Sequence, residues 1–142
     1  MVKTDYDKLR DWIITNLETA QDLGRWIVDY LEWRQSLPNA TPEGTERLIE
    51  NSIIPAVENF IQEKVGLVYS VIADNPEYAR QWHLPSPERA AEIMSKVLYE
   101  YFDIAITEMR YPSLAEAAER VGESAKEVYN IMSFVRHFGW EI

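Results

Sequence analysis

Apolar side chains recur at Tyr6, Leu9, Ile13, Leu17, Ala20, Ile27, Tyr30 and Leu31. Steps of three and four place them on one helical face, which predicts a single long helix from about Asp5 to Gln35. Gly24 falls inside it as a place for a bend, and Leu37-Pro38-Asn39 ends it. The triplet Thr41-Pro42-Glu43 then starts a second helix. It supplies a capping hydroxyl, a proline at the first helical position and an acid near the positive end of the helix dipole. Pro55 removes a backbone donor and crowds the preceding turn, so this helix should stop or kink near Ile54.

Beyond Pro55, Val57, Phe60, Ile61, Lys64, Leu67, Val68, Val71 and Ile72 continue a stripe. The run from Val65 to Ala73 is apolar nearly all round, which predicts a central position in the core. Asn75-Pro76 opens a short segment through Trp82, and His83-Leu84-Pro85 closes it. Ser86-Pro87-Glu88 repeats the start signal of Thr41. The helix that follows carries Ala90, Met94, Val97, Leu98, Tyr101, Ala105 and Ile106 on one face and should reach about Met109, with Tyr111-Pro112 ending it. No stretch alternates with period two, and the chain has only five glycines for tight hairpins. The expected fold is all-α, with no internal repeat: a bundle of long helices over residues 1–110, then a helix-turn-helix segment over 111–142 packed on it, as two parts or as one single domain.

The segment SLAEAAERVGESAKEVYNIM, Ser113 to Met132, is the most sharply marked part of the chain. Ser113 with Glu116, and Ser124 with Glu127, have the Ser-x-x-Glu spacing of capping boxes, so two short helices are expected. Gly122 between them suits the left-handed conformation that ends a helix. Leu114, Val121, Val128 and Ile131 would supply their shared core, while Ala117 and Ala118 permit a close crossing. Small residues before the turn, glycine in it, and Val128 and Ile131 after it resemble the helix-turn-helix motif of bacterial and phage regulators over about twenty residues. In such regulators the second helix enters the major groove and its outward side chains read base edges. The resemblance assigns that role to Ser124, Ala125, Lys126, Tyr129, Asn130 and Ser133, and it offers Arg120, Lys126 and Arg136 as phosphate contacts.

The formal net charge is −10, from 24 acidic and 14 basic side chains. That field repels nucleic acid and anionic membranes at long range and favours a basic protein partner. From Ala105 onward, Arg110, Arg120, Lys126 and Arg136 face Glu108, Glu116, Glu119, Glu123, Glu127 and Glu141. Glu123 occupies a place after the turn glycine where the motif usually has an apolar residue. Non-specific affinity for DNA comes from cations neutralising phosphates, so dimerisation, which doubles the contacts, would help such a motif bind. The protein therefore reads as a DNA-binding regulator acting as a homodimer, or as a non-enzymatic adaptor or inhibitor that captures a basic protein partner through its acidic faces.

Trp12, Thr19, Trp26 and Trp33 lie at intervals of seven, a stripe distinct from the Leu9, Ile13, Ile27 and Leu31 face. Either Trp12, Trp26 and Trp33 anchor another chain, or the first helix is covered on two sides by its own fold. In the tail, Phe134, Phe138, Trp140 and Ile142 imply a last helix docked on the body and ended by Gly139.

Without cysteine there is no disulfide and no thiolate chemistry. His83 and His137 lack metal-ligand spacing, and no phosphate loop, dinucleotide fingerprint or nucleophile elbow is present. These features point to a protein that is not an enzyme and needs no cofactor or metal. The charged amino-terminal stretch and the absence of a long apolar run lead to the expectation of a cytoplasmic protein. The Asn39-Ala40-Thr41 sequon then reads as a loop ending in a helix cap.

Overall fold

A computed structural model describes residues 2–142. Among them the chain is all-helical, with no strand, and no helix is long and apolar enough to cross a membrane.

In place of one helix over 5–35 there are two, α1 (Asp5–Asn16) and α2 (Ala20–Gln35). Leu17 is extended, and Thr19 caps α2, its hydroxyl accepting from the Asp22 amide at 3.1 Å. The apolar period runs through this break in phase, so periodicity alone conceals it; the Thr-x-x-Asp cap is the local signal that stops one helix and starts the next. The same chemistry opens α1, where Thr4 accepts from the Asp7 amide and the Asp7 carboxylate accepts from the Thr4 amide. Gly24 lies buried within α2.

Helix α3 (Pro42–Leu48) starts as expected, with the Thr41 hydroxyl accepting from the Gly44 amide at 3.0 Å. It passes through a π-helical stretch, Ile49–Ile53, into α4 (Ile54–Asp74). The Ile54 amide reaches back to the Ile49 carbonyl, a ring one residue wider than an α turn. Pro55 explains why: inside a regular helix its ring would strike the carbonyl four residues earlier. The wide turn absorbs the conflict without ending the helix, and it advances the buried face by one position. Thr45 and Leu48 are buried before it, Ser52 and Ile53 within it, and Ala56, Val57, Phe60 and Ile61 after it. Ser52 is fully buried, and its hydroxyl donates to the Tyr6 carbonyl at 2.7 Å, which ties α1 to the π turn.

Helix α5 (Pro76–Gln81) fills the short segment before His83, which takes a left-handed backbone (φ 56°). Helix α6 (Pro87–Thr107) begins at Ser86, whose hydroxyl accepts from the Arg89 amide. Of its expected face, Ala90, Met94, Val97, Leu98, Tyr101 and Ala105 are buried and Ile106 is half-buried. Helices α7 (Leu114–Arg120) and α8 (Ala125–His137) complete the chain. Val65–Ala73 is not buried all round; Val68, Val71 and Ile72 face inward, while Gly66, Tyr69, Ser70 and Ala73 are exposed. Small or amphipathic residues on that outer face lose little in water, so an apolar appearance did not imply central placement.

The chain divides into two compact units, with α4 and α6 each contributing to both. One comprises Met1–Phe60 with Phe102–Tyr111. Its interior holds Ile13, Leu23, Ile27, Leu31 and Ile53, together with an edge-on pair of rings, Phe60 and Phe102, 5.5 Å apart. The other comprises Ile61–Tyr101 with Pro112–Ile142. Its interior holds Met94, Val97, Leu98, Val128, Ile131 and Phe134. Each such side chain contributes roughly 1.5–3 kcal/mol of burial, which outweighs any single surface charge pair. In this second unit the tail is docked: Ile142 is buried, and Lys64 donates to the Glu141 carbonyl at 2.8 Å.

Candidate functional site

Two places gather chemistry-bearing side chains, one in each unit. In the second unit, α7 and α8 pack on each other through Ala117, Ala118, Val128 and Ile131, none of which has any exposed surface. The Ser113 hydroxyl accepts from the Glu116 amide and the Ser124 hydroxyl from the Glu127 amide, at 3.1 and 3.2 Å. Between the helices Gly122 is left-handed (φ 74°), and the Glu123 amide donates to the Ala118 carbonyl at 2.9 Å. This six-to-one bond closes α7 in the way a glycine-terminated helix normally closes. Gly139 does the same for α8 at φ 92°, with the Trp140 amide donating to the Val135 carbonyl.

The outer face of α8 carries most of the residues that the motif would use. Ser124, Lys126, Tyr129, Ser133 and Arg136 are exposed, and Ala125 is half-buried at the first turn. Asn130 is different: half-buried, it donates through Nδ2 to the Trp82 carbonyl at 3.0 Å, which anchors α8 to the end of α5. Arg120 lies on α7 between carboxylates, 3.2 Å from Glu116 and 3.5 Å from Glu100.

Glu123 has a role that the sequence did not reveal. Its side chain is only 6% exposed, and it spans two cations of α6, with Oε1 2.7 Å from Arg89 Nη2 and Oε2 2.7 Å from Lys96 Nζ. Arg89 also bonds Glu92 at 2.8 Å. The hydrogen bond from Lys96, followed by that from Arg89, holds the Glu123 carboxyl below the usual carboxylate range, against the opposing effect of burial. Reciprocally, the Glu123 bond pushes the Arg89 guanidinium up. The available signal was the spacing of Arg89 and Lys96, two turns apart on one face of α6; nothing local says that Glu123 would reach them. Its negative charge is thus neutralised at the helix-helix turn.

In the first unit, Trp12, Trp26 and Trp33 do come together, although not as one helix's heptad. Thr19, the fourth member of that series, is the cap between α1 and α2. The ladder runs Trp12 to Trp26 (5.7 Å between centroids), Trp26 stacked on Tyr30 (4.7 Å), and Tyr30 to Trp33 (5.6 Å). Trp12 and Trp33 are about half exposed, at 47% and 56%. Alongside, the Tyr111 hydroxyl donates to Asp29 at 2.6 Å, and the Arg25 guanidinium lies over the Tyr111 ring, 5.4 Å from its centroid. That donated bond raises the Tyr111 hydroxyl above its ordinary pKa, because it exists only in the protonated form. Tyr30 and Tyr111 are the members of this surface that spacing by sevens had missed.

Neither histidine lies among the side chains on which these sites rest, although His137 ends α8. His83 is exposed beyond α5, and the His137 ring lies 5.7 Å from Trp82 and 5.2 Å from Phe138. Among the described residues no group of three or more His, Asp or Glu side chains is placed to hold a metal ion. Comparison of the chain with protein-family profiles, curated proteins and solved structures gives no match.

Proposed function

We propose that the protein is a DNA-binding regulator that presents α8 to the major groove, with no catalytic activity. The observation that carries this reading is the free outer face of α8. Lys126, Tyr129, Ser133 and Arg136 project from one helix that is firmly held by Asn130 and the buried Val128, Ile131 and Phe134. A rigid helix with polar side chains along one side is what base-edge readout requires. The pairing of Glu123 with Arg89 and Lys96 supports the same reading, since it removes an uncompensated charge from the neighbourhood of the phosphates. Lys126 and Arg136 would contact phosphate, while Tyr129 and Ser133 would face bases.

Fluorescence anisotropy with labelled random duplex DNA tests this. The expected result is binding at low ionic strength that weakens steeply with salt. Lys126→Glu should lower the affinity about tenfold and reduce the salt slope by about one. Absence of binding at low ionic strength, or a Lys126→Glu variant that binds like the parent, overturns the proposal.

A further inference from the structure

We infer that the aromatic ladder of the first unit is a docking surface for an arginine-bearing basic segment of a partner protein. A contiguous run of rings that opens to solvent at both ends is uncommon on a surface that has no partner. Here the rings of Trp12, Trp26, Tyr30 and Trp33 follow one another at 4.7 to 5.7 Å, and both ends of the ladder are about half exposed. Tryptophan and tyrosine are the residues that most often concentrate binding energy at interfaces.

The carboxylates beside the ladder decide the occupant. Asp22 lies one helical turn before Trp26, and Asp29 one turn before Trp33, so the two acids share the face of α2 that carries the indoles. Asp22 is exposed and has no ion-pair partner among the described residues. Acidic side chains outnumber basic ones across this whole unit. Ring faces with carboxylates next to them attract a cation, and a planar guanidinium satisfies both, stacking on the ring while donating to the carboxylate.

The surface already holds a guanidinium over one of its rings. Arg25 sits over the Tyr111 ring, and Tyr111 bonds Asp29. A partner arginine on Trp26 or Trp33 would repeat the guanidinium-over-ring contact one step along and add a bond to the neighbouring carboxylate. Single-stranded nucleic acid also stacks on aromatic rings, but its phosphates would meet Asp22 and Asp29. A second copy of the chain would bring acid against acid.

Two-dimensional NMR of the indole N–H groups reads the site directly, since the chain has five tryptophans. The probe is a short amidated peptide alternating glycine and arginine, with lysine and glutamate versions as comparisons. The expected result is saturable shifts at Trp12, Trp26 and Trp33 but not at Trp82 and Trp140. The lysine peptide should bind several-fold more weakly and the glutamate peptide not at all. Trp33→Ala should weaken binding about tenfold and Asp22→Asn several-fold. If Trp33→Ala fails to fold, Asp22→Asn still discriminates, because it removes a charge and leaves the rings.

Equal shifts from arginine and glutamate peptides, equal shifts at all five indoles, or unchanged binding by Asp22→Asn overturns the inference. So do shifts at the same three indoles that appear on raising the concentration of the protein alone, which would make a second copy the occupant. The inference does not depend on the DNA-binding proposal: the probe contains no nucleic acid, and Lys126 lies in the other unit.

Discussion

Truncating Phe134 to alanine should lower the unfolding free energy by about 3–5 kcal/mol, the largest effect expected of any single side chain in the second unit. Phe134 has no exposed surface. Its ring meets Trp82 edge-on at 5.4 Å and Phe138 at 5.0 Å, so it joins α8 to the end of α5 and to its own last turn. Removing it forfeits the transfer energy of the ring and leaves a cavity that the surrounding helices, pinned by Asn130 and the docked tail, can close only in part. Chemical denaturation followed by near-ultraviolet circular dichroism measures it. Tyr129→Ala, on the exposed side of the same helix, is the control and should change stability by no more than about 0.5 kcal/mol. A Phe134→Ala loss as small as the control's would mean that α8 is not anchored through this ring.

The second large effect belongs to Glu123. Glu123→Gln keeps the shape of the side chain but loses the charge that receives two bonds from α6, and it should cost about 1–2 kcal/mol at neutral pH. The cost stays below that of a fully buried pair because Arg89 and Lys96 are both 44% exposed and regain water. The sign of the pH dependence follows from the lowered Glu123 pKa. The native carboxyl titrates below its ordinary value of 4.5, so its contribution is complete above that value and is lost as pH falls through the depressed native one. Thermal midpoints of the parent and Glu123→Gln proteins should therefore differ at neutral pH and converge in acid. A gap that persists unchanged to the acid limit would assign the effect to packing instead of charge.

The elements most legible in the sequence were those written in short-range chemistry. Thr41, Ser86, Ser113 and Ser124 each cap the helix that their spacing predicted, and Gly122 and Gly139 each take the left-handed turn. The buried face of α6 was legible because a long helix repeats its period many times. The break between α1 and α2 was hidden because Ile13, Leu17 and Ala20 keep helical spacing across it. There a three-residue interruption happens to preserve the apolar phase. The π turn was foreshadowed by Pro55 only as a stop or kink, since a proline says that the regular ladder cannot continue and not how the chain will resolve the conflict. At the candidate sites, exposure of Lys126 and Tyr129 followed from helical phase. The engagement of Glu123 with Arg89 and Lys96, and of Tyr111 with Asp29, joins residues 27 to 82 positions apart, beyond the reach of any local pattern.

The π turn at Ile49–Ile53 also bears on chain length. A regular helix turns about 100° per residue, so one surplus residue would swing every later side chain a quarter-turn or more away from its place. The wide ring takes up that surplus in a single step, and Pro55 is accommodated only because it does. The wide turn and the proline are therefore coupled: deletion of one position from the turn would drive Pro55 into a regular helix, whose carbonyl four residues earlier its ring would strike. With one residue of the turn deleted and Pro55 replaced, a regular helix from Pro42 to Asp74 would keep the same side chains facing inward, so the length of this stretch could change by one residue without a loop.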